Sequence, residues 1–350
     1  MPALDLRSDT VTLPTEAMRK AMYEAELGDD VLGEDPTVNR LEALAAETLD
    51  KEAAMLVASG TQGNLIGVLA NCRNGDEIVM GDNAHIFWNE SAGVAALGGI
   101  QTQLVPNRPG GALDPADVEH AIRPKGNSHY PPTALVCLEN TQNRCNGGVL
   151  TVDDTKAVCD VAHAHGIPVH LDGARIFNAS VYLETPVREL VKDVDDVTFC
   201  LSKGLGAPVG SVLCGSREFI DEARRWRKMV GGGMRQAGII AAAGIVSLES
   251  MVDRLAEDHS NARQISRGLA QTPGVIHDTS VVQTNIIFFE IDPSVGSASD
   301  FVQRLAAEGV KVNQTYGRIR MVTHHHITPA DVDTVLSAVS AVVGQMKASS

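Results

Sequence analysis

Three short apolar runs, each ending on polar residues, constrain the fold of this chain more than any other feature. Residues 134–138 lead into Glu139-Asn-Thr-Gln-Asn143, residues 167–171 into Asp172-Gly-Ala-Arg175, and residues 197–201 into Ser202-Lys203. Largely apolar runs of this length suit strands buried on both faces. Between the first two runs, residues 152–165 read as a helix. Asp153 and Asp154 stand in its first turn, Val158, Val161 and Ala162 point inward, and Gly166 stops it. Strand, helix, strand with polar groups at the strand ends is the layout of an open α/β sheet, whose ligands bind beyond the carboxyl ends of the strands. Glu139, Asn140, Asp172, Arg175 and Lys203 are therefore expected at one cleft.

The rest of the chain supports a globular enzyme. Its 350 residues are 44% hydrophobic and carry a formal charge of −15 with no acidic tail. That charge disfavours nucleic acid or an anionic membrane as partner, and no apolar stretch reaches the roughly 18 residues of a membrane span. Residues 1–7 lack the charged-then-apolar pattern of a signal peptide. The six cysteines, at 72, 137, 145, 159, 200 and 214, include no Cys-x-x-Cys pair, so reduced thiols in a cytoplasmic enzyme are expected. The C-terminal part has a strand of its own at 285–291, a helix at about 298–308, extended runs at 310–313 and 318–322, and a last helix opened by Thr328-Pro329. We therefore expect a large domain over 1–248, including the N-terminal segment, and a small one over 249–350.

Each motif admits two readings on its own. Lys203, among Gly204, Gly206 and Gly210, is either an interior amine able to form a Schiff base or a lysine snorkelling to solvent. Ser59-Gly-Thr-Gln-Gly-Asn64 opens an apolar helix whose mouth could cradle a phosphate or simply be N-capped. It lacks the Gly-Lys-Ser/Thr of a P-loop. His85, close to Phe87 and Trp88, is a core histidine or a stacking and acid–base group. His170 and Asp172 share a strand face, but no further metal ligands follow at a clear spacing. Gly204-x-Gly206-x-x-x-Gly210 misses the dinucleotide fingerprint by one residue. His324-His-His326 reads as strand-end packing. The basic segment 224–228 and the glycine-rich 231–236 form a solvated face, or supply cations to a phosphate or a subunit contact. A lysine, an aspartate, an arginine and a phosphate cradle at the open end of a sheet fit pyridoxal 5′-phosphate better than any other cofactor. Lys203 meets the aldehyde, Asp172 the pyridine nitrogen, Gly60 and Thr61 the phosphate, and His85 the ring.

Taken together, several segments resemble the low-specificity L-threonine aldolases, over nearly the whole chain. They are Arg7-Ser-Asp-Thr-Val-Thr12, Gly28-Asp-Asp-Val31, Asp35-Pro-Thr-Val38, Ser59–Asn64, His85-Ile-Phe87, Leu138-Glu-Asn-Thr141, His170–Arg175, Ser202–Ser211, Gly231–Gln236 and Arg320–His324. The resemblance implies the aspartate-aminotransferase-like fold (fold type I), with a large α/β domain around a mostly parallel sheet and a smaller C-terminal α+β domain. It implies pyridoxal 5′-phosphate held covalently by Lys203, with Asp172 on the pyridine nitrogen and Gly60 and Thr61 on the phosphate. Lys228 and Arg235 would reach that phosphate from a neighbouring subunit of a homotetramer, a dimer of dimers with sites at subunit interfaces. Arg175 would stand beside the cofactor and, with Ser8 and Arg320, bind the substrate carboxylate, for which a guanidinium fork is the natural clamp. The implied reaction is retro-aldol cleavage of β-hydroxy-α-amino acids to glycine and an aldehyde, with His85 or His129 as the base. Leu32 stands where relatives commonly carry tyrosine and Asn89 where an aromatic is usual, which bears on the pocket for the β-substituent. A β-eliminating lyase is the alternative with the same cofactor. A non-catalytic binding protein on this fold would have no need of both Lys203 and Asp172.

Overall fold

The computed structural model describes residues 3–349. A two-residue strand, β1 (Leu4–Asp5), precedes the seven that build the main sheet. These are β2 (Ala53–Val57), β3 (Glu77–Gly81), β4 (Gln101–Val105), β5 (Thr133–Glu139), β6 (Val169–Asp172), β7 (Asp196–Cys200) and β8 (Ser211–Gly215). Their spatial order is β2-β8-β7-β6-β5-β3-β4. Only β8 runs against its two neighbours; the remaining pairs are parallel. The three apolar runs are thus adjacent central strands, and their ends align, Glu139 beside Asp172 and Asp172 beside Thr198. Leu135, Val136, Leu171, Val197 and Phe199 are fully buried, as strands covered on both faces require.

Helix Gly60–Asn71 follows β2, with Ser59 accepting the Gln62 N–H as its cap. It lies very close to the sheet because its inner face is glycine. A Cβ at Gly63 would stand 2.6 Å from Thr198, and one at Gly67 2.7 Å from the His170 ring. Helix Val152–Ala164 carries a full capping box, Thr151 with Asp154.

The C-terminal part adds β9 (Val275–Ile276), β10 (Ile286–Ile291), β11 (Val310–Lys311), β12 (Asn313–Thr315) and β13 (Arg318–Val322). An antiparallel sheet in the order β12-β13-β10-β9 packs under helices Ala298–Ala307 and Pro329–Ser349, with Phe289 edge-on to Phe301 at 6.0 Å. The architecture is therefore α/β with a mainly parallel sheet and a second, antiparallel one. The N-terminal segment belongs spatially to the second part: β1 pairs in parallel with β11, and Leu6 is fully buried in the C-terminal core. Residue 248 falls inside helix Gly238–Ser250, and the larger core continues to Leu255. The smaller core takes up Ala262, Ile265 and Leu269 of the next helix, Leu255–Gln271, which serves both.

Candidate active site

Lys203 stands just past β7, where the chain turns. Ser202 donates its N–H to the Gly210 carbonyl, and Gly206 returns its N–H to the Lys203 carbonyl at 2.9 Å. Gly206 has φ +78°, and a Cβ there would press on the His325 ring at 3.1 Å, so the turn requires glycine. Thr12 also donates its hydroxyl to the Lys203 carbonyl, at 3.2 Å. The backbone is thus held from two sides, while the half-buried amine makes no hydrogen bond or ion pair among the described residues.

One strand over, Asp172 is buried at the end of β6 and accepts the Ala174 N–H (3.0 Å) on one oxygen and the Asn64 amide (2.9 Å) on the other. The same Asn64 nitrogen donates to Glu90 at 2.8 Å, and Glu90 meets His85 Nδ1 at 2.7 Å. One ring nitrogen of His85 and one carboxylate oxygen each of Glu90 and Asp172 lie within 4.8 Å of one another. Because carboxylates only accept, Asn64 must present its NH₂ to them, so its oxygen faces His170 Nε2, 3.2 Å away. His170 then donates from Nε2, and its Nδ1 lies 2.5 Å from Asp196. Burial disfavours charge on His170, but Asp196, with Asp172 beyond, outweighs it and raises its pKa. Both ring nitrogens are committed to internal partners, which leaves none for a metal.

His85 rides on a helical turn, His85–Trp88, whose first N–H donates to Glu139 at 2.8 Å. Glu139 also accepts from Asn143 N–H and the Gln142 amide, which ties this turn and the segment after β5 to one carboxyl group. Burial, and then the charge of Asp172, push the Glu139 carboxyl up to about 7. Burial works against a charged His85, yet the Glu90 hydrogen bond and the Asp172 and Glu139 carboxylates raise its pKa overall.

Two arginines complete the cleft. Arg175 is buried and grips Asp9 with two bonds, Nε at 2.7 Å and one terminal nitrogen at 2.6 Å. Burial opposes the Asp9 charge, but Arg175, aided by Lys203 and Arg320, holds the carboxyl well below the usual range. Arg320, on β13, is buried too. It donates to Asn143 at 2.9 Å and weakly to the Arg7 carbonyl, and its Nε is buried without a partner. Burial, and then the neighbouring Arg175, bring its pKa down to about 10. An underpaired buried guanidinium is costly, and it marks a place built for an anion. Ser8 caps the turn Asp9–Val11 beside these groups.

The helix mouth has the expected form. Ser59 satisfies the N–H groups of Gln62 and Gly63, whereas those of Gly60 and Thr61 have no partner among the described residues. Two free N–H groups at the N-terminus of a twelve-residue helix suit a phosphate.

Other expected residues lie elsewhere. His129 is exposed in the loop entering β5 at its amino end, in a segment that lines a cleft with His165 and Ile167 at the start of β6. The strand runs its full length from there to Glu139, so His129 is set aside as a base within its own chain. Lys228 is exposed on helix Arg217–Met229 and shares a cleft with Leu32, Asp30 and Arg224; Arg235 pairs with Asp29 at 2.8 Å on the surface. Leu32 and Asn89 are not brought together within one chain. Asn89 instead donates to the Tyr316 hydroxyl at 2.9 Å, where the Arg144 guanidinium lies between the Tyr316 and Trp88 rings at 3.8 and 4.4 Å. His324 to His326 hold the N-terminal segment: His324 contacts the Asp5 carbonyl, and Leu13 donates its N–H to His326. Sequence reasoning missed Glu90, Asn64 as a bridge, and Asp9 as the partner of Arg175. The usable signal for Glu90 was an acidic residue one short turn beyond a histidine.

A lysine and an aspartate at neighbouring strand ends, two free amides at a facing helix mouth and a buried arginine with spare donors define a pyridoxal 5′-phosphate enzyme of the aminotransferase-like fold. The chain belongs to the beta-eliminating lyase family, whose model matches residues 5–292. It is 49% identical over 339 residues to the probable low-specificity L-threonine aldolase 2 of Arabidopsis thaliana, covering 95% of each chain. It is 43% identical over 321 residues to the low specificity L-threonine aldolase of Escherichia coli K12, covering 92% of this chain and 93% of that one. Among solved structures, a Leishmania major threonine aldolase superposes with a TM-score of 0.82 at 18% identity, covering 97% and 99% of the two chains. A Sphingomonas wittichii serine palmitoyltransferase gives 0.78 at 18%, covering 99% and 88%. At that identity these two establish the fold.

Proposed function

We propose that this chain is a pyridoxal 5′-phosphate-dependent lyase that cleaves β-hydroxy-α-amino acids, L-threonine and L-allo-threonine among them, to glycine and an aldehyde. The observation that carries this reading is the grouping of an unpartnered amine, Lys203, with an underpaired buried guanidinium, Arg320, and an imidazole, His85, whose Nε2 makes no hydrogen bond among the described residues. Close relatives named as threonine aldolases support it.

When bound, the cofactor supplies a carbonyl for covalent capture of an amine and a pyridinium that accepts the electron pair released at Cα. Lys203 would hold it covalently through its amine, Asp172 would keep the pyridine nitrogen protonated, and the Gly60 and Thr61 amides would take the phosphate. Arg320, with the free terminal nitrogen of Arg175 and Ser8, fixes the substrate carboxylate and so decides which Cα bond is aligned for cleavage. His85 Nε2 takes the β-hydroxyl proton as Cα–Cβ breaks and the aldehyde leaves; a proton returned to Cα gives glycine. Asn89, held by the Tyr316 hydroxyl, would border the pocket for the β-substituent.

The exposed Lys228 and Arg235 are read as reaching a neighbouring subunit's phosphate site in a homotetramer, a dimer of dimers, with Leu32 bearing on the pocket for the β-substituent. The six free cysteines support a cytoplasmic setting, with glycine formation as the metabolic role.

The test is to incubate the protein with L-threonine, L-allo-threonine and L-phenylserine and to assay glycine and the matching aldehyde. A 2-oxo acid and ammonia in their place would establish β-elimination, the alternative with the same cofactor. Lys203→Ala should lose the visible absorption of the bound cofactor; a wild-type protein left colourless by added cofactor would overturn both readings.

A further inference from the structure

His85 and Glu90 sit in an environment that ordinary stability does not explain. The Glu90 side chain is 3% exposed, and its second oxygen is buried with no partner. A buried carboxylate oxygen left without a partner is destabilising. A residue kept only to hold a helical turn would not need a charge there, since Glu139 already binds the first N–H of that turn. What Glu90 does contact is the imidazole, at Nδ1, and the Asn64 amide.

We propose that Glu90 is the positioning residue of His85: it holds the Nδ1 proton, leaves Nε2 bare as the proton-accepting atom, and is itself kept in place by Asn64. The orientation of Asn64 follows from its neighbours. With Asp172 and Glu90 both on its nitrogen and His170 on its oxygen, the amide cannot flip without setting its oxygen against two carboxylates. Glu90 is thereby fixed relative to Asp172, and His85 relative to both. A carboxylate behind an imidazole sets its tautomer and orientation, and it stabilises the imidazolium formed when the other nitrogen gains a proton. The groups facing His85 are Glu90, Asp172 and Glu139; those facing Glu90 are His85, Asp172 and the neutral Asn64. Burial raises the Glu90 pKa overall, although its bond to His85 pulls the other way. This inference rests on the reading of His85 as the base, and it adds the residue that makes Nε2 the atom that acts.

The test uses the cofactor-loaded protein labelled with ¹⁵N-histidine, with the His85 signals assigned by difference from His85→Asn. Above its titration the wild-type ring should show Nδ1 protonated and Nε2 bare. Glu90→Gln, which preserves shape and can still hydrogen-bond, should lower the His85 titration midpoint by about one pH unit or more. The acid limb of kcat/KM should move with it, while KM changes little. A merely structural Glu90 would leave both midpoint and limb in place in Glu90→Gln, and that result overturns the proposal. So does a wild-type ring protonated at Nε2, which needs no change at Glu90. Failure to form glycine and aldehyde would sink the aldolase reading alone, since the tautomer and midpoint are read independently of turnover.

Discussion

Asp9 is the residue on which the cleft's electrostatics turn. It is buried, pairs with two nitrogens of Arg175, accepts the Asn285 amide at 3.2 Å, and faces the charges of Lys203 and Arg320. Asp9→Asn would strand a buried guanidinium, and breaking such a pair by removing one partner costs about 3–5 kcal/mol. Asp9 has a folded pKa below its unfolded value, so its stabilising contribution is full above the unfolded value of about 3.9 and is lost as pH falls through the folded one. Urea unfolding of wild type and Asp9→Asn should therefore differ by a constant amount from pH 8 to about pH 5. The gap should narrow as acid is added below about pH 4. A gap that widens in acid would show that the pair does not stabilise the fold in this way.

At the scale of elements, the site depends on how closely helix Gly60–Asn71 approaches the sheet. Gly67→Ala would place a methyl 2.7 Å from His170, whose ring is fixed between Asp196 and Asn64 and has nowhere to retreat. Overpacking of this kind costs about 1–3 kcal/mol. Because the same helix carries Gly60, Thr61 and Asn64, cofactor affinity should fall together with the urea midpoint, as a fluorescence titration with pyridoxal 5′-phosphate would measure. Unchanged affinity with a lowered midpoint would separate the helix position from the cradle. This scale also shows what was readable in the residues. Lys203, Asp172 and Glu139 were legible because a buried parallel strand announces itself as an apolar run, and its last residue then has a known location. Glu90 and Asn64 carry no such pattern: one follows a single helical turn, and the other looks like any polar residue early in a helix. The burial of Arg320 and the partner of Arg175 were hidden for another reason. Both depend on a C-terminal strand and an N-terminal turn meeting the large sheet, and local periodicity says nothing of contacts across 166 or more positions. Lys228 and Arg235 lie on the surface of a single chain, so no intrachain contact reveals their role.

For the whole molecule, the proposed exchange of Lys228 between subunits gives a direct test. Lys203→Ala and Lys228→Ala should each be nearly inactive alone. Mixed in equal amounts under conditions that let subunits exchange, they should regain roughly a quarter of wild-type activity, because half of the pairs are hybrid and each hybrid contains one intact site of two. No recovery after proven exchange would place Lys228 in its own chain's chemistry or outside it altogether. A second consequence follows from the pairing of β1 with β11, from Leu6 in the C-terminal core and from Asp9 on Arg175. The main sheet can assemble once residue 215 has been synthesised, but Leu4 has no partner strand until residue 310 exists. Residues 4–9 are thus made long before they can be placed. Throughout that interval Arg175 is without its counter-charge, and the nascent chain holds a formed sheet with an unfinished cleft.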